Sequence, residues 1–136
     1  MSGRARLFAL VAQREAMARA ALGPALRQAA SDQQTARAMV ARLQHLIAEI
    51  GPGTGVHSVD VLQNRGLLLA RLLSECAAQE DRARLAQDRA AHLRAQLVAH
   101  DQRHRSSAEA ARVAHLAEVA QAEERREASL APARVR

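Results

Sequence analysis

The sequence predicts an all-α fold, a long antiparallel two-helix coiled coil in which the chain folds back once as a hairpin with unequal arms. Apolar residues recur every three or four positions along two long stretches, and a Gly/Pro-rich break at residues 51–55 separates the stretches. The 136 residues include one aromatic side chain, Phe8, and the hydrophobic 49% is mostly alanine and leucine. Because such residues favour helices, we expect one hairpin over residues 1–136 and no sheet.

The first helix is predicted over about residues 4–50, where the apolar side chains alternate at three- and four-residue steps and define a seam. Glu15 also occupies a seam position, and Gly23-Pro24 lies inside the pattern. Because proline lacks a backbone donor and clashes with the preceding turn, we expect a kink near Leu22 or a break into two helices. The predicted apolar seam residues are Phe8, Val11, Ala18, Leu22, Leu26, Ala29, Ala36, Val40, Leu43, Ile47 and Ile50.

The turn is predicted at residues 51–57. Gly51 can adopt the left-handed conformation that ends a helix, and Pro52 cannot continue one. Ser58 is placed to be the N-cap of the second helix, with Asp60 in the first turn, where the helix dipole favours negative charge. The second helix is therefore predicted over about residues 58–130.

The seam of the second helix is expected to weaken in its last third, at His100, His104, Ser106 and Ser107. Because the second helix is the longer one, we expect Met1 near residue 106 and roughly the last 25 residues without a partner in the chain. This tail is predicted to be a docking element. The predicted seam residues are Leu62, Leu69, Leu72 or Leu73, Cys76, Ala83, Ala86, Ala90, Leu93 and Leu97, followed by Ala111, Val113, Leu116 and Val119.

The charge pattern favours a solvent-exposed helical surface and attraction to acidic surfaces, whether nucleic acid, anionic lipid headgroups or an acidic protein partner. The net charge is +6, all 20 basic residues are arginine, and residues 1–50 carry seven of them against three acids. The spacings of Glu80 with Arg84, Arg84 with Asp88 and Asp101 with Arg105 suit ion pairs along an exposed helix. Nucleic acid is a weaker prediction, because no aromatic groups are available for base stacking and no contiguous basic region precedes a zipper.

No motif for catalysis, a cofactor or a metal is evident, so we predict that the protein is not an enzyme and needs no cofactor. There is no Gly-rich phosphate loop or nucleophile motif. His100 and His104 are four residues apart, but the other histidines have no matching spacing, which favours exposed polar residues over a metal site. The single cysteine, Cys76, is expected to be a small buried apolar group in a reducing cytoplasm.

The layout of the chain resembles the flagellar export protein FliJ family. The resemblance rests on the leading stretch with Leu7, Leu10, Arg14 and Glu15, the helix end Leu43-x-x-Leu46-Ile47, the Gly-rich connector, and the Leu62-Gln63-Asn64-Arg65-Gly66-x-x-Leu69 opening of a longer helix with an Arg- and Glu-rich tail. It implies a cytoplasmic, stalk-like component of the type III export apparatus that builds the flagellum for motility. Its implied partners are the export ATPase and its regulator, the membrane export gate protein and export chaperones, with peripheral association at the inner face of the cell membrane through these partners.

The resemblance also implies two contact regions. The ATPase-binding residues would be Arg4, Leu7, Leu10, Arg14, Leu116, Glu123 and Arg126. The export-gate and chaperone-binding residues would be Val40, Leu43, Leu46, Leu69 and Leu72. From the period alone, seam leucines are expected to hold the hairpin together, whereas Leu46, Leu67 and Leu68 lie off the seam and are better candidates for partner contact. The alternatives are the stalk of a virulence-type secretion system, a generic coiled-coil scaffold, or a basic nucleic-acid-binding helical protein.

Overall fold

The protein is an all-α helical hairpin, as predicted. The computed structural model describes residues 3–50 and 58–134, with side chains described through residue 130. Two helices, α1 (Gly3–Ile50) and α2 (Val59–Arg134), pack against each other, and no strand occurs within the described ranges. The predicted turn at 51–57, including the expected Gly51 cap, lies outside the described residues.

Helix α1 is continuous through Gly23-Pro24, so the predicted break into two helices is wrong. Pro24 has no N–H to donate to the carbonyl of Ala20, four residues earlier, and one helical hydrogen bond is therefore absent. Leu22 and Leu26, on either side of this step, are both partly buried. Because tertiary packing of a seam supplies most of the stability of a helix in a protein, packing on both sides maintains the helical backbone across the proline.

The start of α2 confirms the predicted N-cap. The N–H of Val61 donates to Ser58 Oγ at 3.3 Å, and the N–H of Leu62 donates to the Ser58 carbonyl at 3.1 Å. Asp60 is the acidic residue of the first turn. The side chain of Ser58 thus satisfies one of the backbone donors that a helix N-terminus leaves without an intrahelical partner.

The chain divides into two compact units. The terminal unit contains Met1–Gly23 and Ala95–Arg136, and the turn-side unit contains Pro24–Arg94. Each unit therefore includes one segment from each half of the hairpin, and the boundary in α1 falls between Gly23 and Pro24.

In the turn-side unit the buried residues repeat at the predicted coiled-coil spacing. Leu43 is the largest buried apolar side chain of the described residues, with 7% of its surface exposed. Ala36 lies in the same groove as Ala86, and Val40 lines a groove with Ala83, so the two segments run antiparallel. The other buried residues of this seam are Ala29, Ala36, Cys76, Gln79, Ala86 and Ala90.

The beginning of α2 extends past the end of α1. Continuing the antiparallel pairing of Ala36 with Ala86 brings Ile50, the last residue of α1, opposite Leu72. Leu62 is 52% exposed, so its predicted place in the buried seam is wrong. The physical reason is that Leu62 precedes the part of α2 that α1 reaches.

In the terminal unit the seam contains small and polar side chains. Ala5 and Ala12 are buried, whereas Val11 is 38% exposed, so the predicted assignment of Val11 to the seam is wrong by one residue. Glu15 occupies the seam, as predicted. The half-buried residues that continue this seam on α2 are Leu97, His100, His104, Ser107, Ala111, Ala114 and Glu118.

The alignment of the terminal unit also differs from the prediction. Arg4 and Phe8 line a groove with α2 residues as far along as Gln121. The expectation that the chain begins opposite residue 106 is therefore wrong, and the stretch without a partner is shorter than predicted.

Candidate interaction surface

A cluster of charged side chains crosses the seam of the terminal unit at Glu15. Glu15 Oε2 lies 2.5 Å from His100 Nδ1, and Glu15 Oε1 accepts a hydrogen bond from Arg103 Nε at 3.2 Å. The Glu15 side chain is only 16% exposed. The hydrogen bond with His100 lowers the pKa of Glu15, and the ion pair with Arg103 adds to this effect against the opposing influence of burial. The carboxylate form is thus favoured inside the seam.

Two further contacts flank this cluster. His104 Nδ1 donates to the backbone carbonyl of Ala12 at 2.8 Å. Arg19 reaches Asp101 at 3.4 Å, and Asp101 also pairs with Arg105 at 3.2 Å, which confirms the predicted Asp101–Arg105 ion pair. We call the set Glu15, Arg19, His100, Asp101, Arg103 and His104 the Glu15 layer. Sequence patterns identified Glu15, His100 and His104 as polar interruptions, but they did not predict that these side chains meet.

The outer face of α1 in the terminal unit carries large apolar side chains. Leu7, Leu10 and Met17 are 59%, 56% and 68% exposed. They are spaced at three- and seven-residue steps, which aligns them along one face of a helix, away from the buried Ala5 and Ala12. This distribution is inverted relative to an ordinary amphipathic helix, because small side chains face the partner helix and large ones face solvent.

The same outer face is basic. Arg4, Arg6 and Arg14 are exposed, and the Arg4 guanidinium carbon lies 5.9 Å from the centroid of the Phe8 ring. Glu15 is the single acidic residue of the first 24, and its carboxylate lies in the seam. Every charge on the exposed part of this segment is therefore positive. The four α1 residues predicted to bind the ATPase, Arg4, Leu7, Leu10 and Arg14, all belong to this surface.

Helix α2 also exposes large apolar side chains in the terminal unit while its small ones face inward. Val113, Leu116 and Val119 are each about half exposed, so their predicted assignment to the seam is wrong, while Ala111 and Ala114 are partly buried. Val113 lines the groove of about 690 Å³ that also contains Arg4 and Phe8. The remaining predicted ATPase-binding residues are exposed on α2 and do not line this groove: Leu116, Glu123 and Arg126.

The predicted gate and chaperone residues divide between the seam and the surface. Leu43 is buried, and Val40, Leu69 and Leu72 are partly buried. Leu43 and Val40 therefore belong to the seam between the two helices of the turn-side unit. Leu46 is exposed. Leu67 and Leu68, predicted to lie off the seam, are also exposed and line a shallow groove on α2.

Two local predictions in the turn-side unit have different outcomes. Cys76 is buried, as predicted, and burial together with the nearby Glu80 carboxylate raises the pKa of its thiol. Arg84 pairs with Asp81, three residues earlier, instead of with the predicted Glu80 or Asp88. The spacing rule gave the correct kind of interaction but the wrong acid.

Within the described residues, no group of three or more His, Cys, Asp or Glu side chains could hold a metal ion. His100 and His104 instead make the cross-helix contacts of the Glu15 layer. None of the described helices has a stretch long and apolar enough to cross a membrane. Comparisons with protein-family models, with curated proteins and with solved structures find no match.

Proposed function

We propose that the chain is a non-enzymatic, stalk-like coiled-coil component of a flagellar type III protein export apparatus. In this proposal it acts in the cytoplasm, binds and stimulates the export ATPase and its regulator, and meets the membrane export gate protein or export chaperones at the inner face of the membrane. The proposal combines the resemblance to the FliJ family with one observation that carries it, the inverted distribution of apolar side chains in the terminal unit.

This inversion favours a binding surface because the exposed part of an apolar side chain contributes nothing to the stability of the hairpin itself. Leu7 and Leu10 are each more than half exposed, and covering that exposed half of each side chain contributes about 1 kcal/mol to association. Arginine is enriched at protein interfaces, and Arg14 lies between Leu10 and Met17 on this outer face. The surface fits a partner that presents apolar side chains among acidic ones.

The ATPase part of the proposal is tested by the turnover and oligomerisation of the cognate export ATPase with and without the purified protein. We expect stimulation by the native chain and its loss in the Leu7→Asp/Leu10→Asp double variant, with helical content retained. Leu85→Asp is the matched control, because Leu85 is also strongly exposed but belongs to the turn-side unit. An active ATPase that shows no response to the native chain would overturn the proposal.

The α2 part of the surface is tested in the same assay with Leu116→Asp. Removal of residues 108–136 is a less informative test, because α2 residues in that range pack against Arg4 and Phe8. We expect Leu116→Asp to weaken stimulation. Unchanged stimulation would restrict the ATPase-binding surface to α1.

The gate part is tested by Leu46→Asp and Leu67→Asp, measured as protein secretion in cells and as ATPase stimulation in vitro. These exposed leucines are preferable to Leu43, whose substitution would disrupt the seam. We expect secretion to fall while stimulation is retained. Normal secretion in both variants would remove the gate surface from the proposal. Stimulation of a virulence-type ATPase in place of the flagellar one would favour the related secretion system.

A further inference from the structure

The α1 segment of the terminal unit is attached to α2 by little apolar surface. Its buried apolar residues are Ala5 and Ala12, and Phe8 and Leu22 are only partly buried. Burying a methyl-sized group contributes about 0.8 kcal/mol, well below the contribution of a buried leucine. The seam of the turn-side unit, by contrast, includes the buried Leu43. Polar contacts must therefore supply a larger share of the attachment in the terminal unit.

The Glu15 layer supplies such contacts. From α2, Glu15 faces His100 and Arg103, and the neighbouring contacts are His104 with the Ala12 carbonyl and Arg19 with Asp101. A carboxylate that is mostly buried with two cationic or hydrogen-bonding partners is stable only while the partners remain in place. Removing its charge leaves Arg103 without its carboxylate partner in the layer.

The end of this segment has the chemistry of a hinge. Pro24 leaves the carbonyl of Ala20 without its helical N–H donor, and Gly23 beside it has the largest backbone freedom of any residue. The boundary between the two compact units falls at the same step in α1. Sharp bends in helices occur mainly at such proline and glycine positions.

We infer that residues 3–22 form an arm that hinges at Gly23-Pro24 and is latched onto α2 by the Glu15 carboxylate, so that neutralising this carboxylate releases the arm. The inference is independent of the proposed function, because it concerns the contacts within the chain. The direction of the pH effect follows from thermodynamic linkage, because the pKa of Glu15 is lower in the folded chain than in the unfolded chain. The latch is therefore complete at pH values above the ordinary pKa of glutamate. It is lost as the pH falls through the lowered pKa of the folded chain.

The latch is tested by measuring a distance between two spin labels with pulsed electron paramagnetic resonance. The labels are placed at Gln13→Cys and Gln102→Cys, two exposed positions next to the layer, in a Cys76→Ala background. We expect one short-distance population at pH 7 and a second, longer population at about pH 3, more than one unit below the ordinary pKa of glutamate. A second label pair, Ala41→Cys with Ala78→Cys, is exposed in the turn-side unit and should keep its distance.

Substitutions separate the latch from general acid unfolding. Glu15→Gln should show the longer population already at pH 7. Glu109→Gln is the matched control, because the hydrogen bond from Arg112 likewise lowers the pKa of Glu109, but both groups lie on α2 and are mostly exposed. We expect it to behave like the native chain.

Two further variants are expected to keep the arm attached to α2. Glu15→Leu/His100→Leu should give the short distance at both pH values, because apolar groups of similar size replace a buried ion pair without loss of stability. Pro24→Ala should reduce the longer population of the Glu15→Gln chain, since it restores the missing helical hydrogen bond.

Three results would overturn the inference. The first is a single short distance in Glu15→Gln at both pH values. The second is an equal opening of the two label pairs, which would indicate global unfolding. The third is a response of Glu109→Gln that matches that of Glu15→Gln.

Discussion

Replacing Leu43 with alanine should destabilise the hairpin more than any other single leucine truncation in the turn-side unit. Leu43 is 7% exposed. The substitution removes three carbon atoms, and at about 0.8 kcal/mol for each buried group the lost transfer free energy is about 2.4 kcal/mol. A two-helix seam can partly collapse around the gap, so the cost should stay near the lower end of the usual 2–5 kcal/mol range, at about 2–3 kcal/mol.

Leu85→Ala is the matched control for this prediction. Leu85 is 70% exposed in the same unit, so only about a third of the transfer term applies, or about 0.7 kcal/mol. The higher helix propensity of alanine offsets part of that loss. The two variants therefore remove identical atoms from positions that differ in burial.

Urea denaturation followed by far-ultraviolet circular dichroism measures both costs. The chain has no Trp and no Tyr, so intrinsic fluorescence gives no useful signal. If Leu43→Ala lowers the free energy of unfolding by no more than Leu85→Ala does, the heptad-spaced seam is not the source of stability in this unit. The argument from burial would then fail.

Three further outcomes are expected. Ser58→Ala should cost about 1 kcal/mol of stability, because the Val61 amide loses its capping acceptor, whereas Ser58→Asp should retain the cap; hydrogen exchange of the first α2 amides measures the difference. Cys76 should react with iodoacetamide more slowly in the folded chain than in urea, since burial raises its thiol pKa and reduces the thiolate fraction; equal rates would contradict its burial. Acidification below the ordinary glutamate pKa should lower the free energy of unfolding of the native chain more steeply than that of Glu15→Gln, because the hydrogen bond with His100 lowers the folded pKa of Glu15; parallel pH profiles from urea titrations would contradict this.

The features that sequence predicted well depend on chemistry within a few residues. The N-cap at Ser58 requires only a hydroxyl at the right position before a helical stretch, and the structure has that hydrogen bond. The helix limits near residue 4 and residue 50 likewise follow from local composition and the Gly/Pro break. At Pro24 the sequence predicted a kink or a break, and the break is absent because packing on both sides of the proline maintains the helix.

The partners of Glu15 could not be predicted, because they depend on how the two helices align. An alignment that sets the start of the chain near residue 106 brings Glu15 opposite His92. The observed alignment brings it to His100 and Arg103, about two to three helical turns further along α2. The seam repeats almost identically every heptad, so the period fixes which residues face inward but not which residues face each other. One register error is therefore enough to miss the Glu15 layer.

The inversion of apolar side chains in the terminal unit separates stability from partner binding. Leucine at seam positions and alanine outside would give the more stable hairpin, yet Ala5 and Ala12 lie inside while Leu7 and Leu10 lie outside. Because the outer leucines already contact solvent in the isolated chain, changing them to aspartate removes little folding free energy. A loss of partner binding in such variants with retained helical content is therefore separable from unfolding, whereas the same change at Leu43 would affect both. The terminal unit is thus the half in which a binding surface can be tested without disturbing the fold.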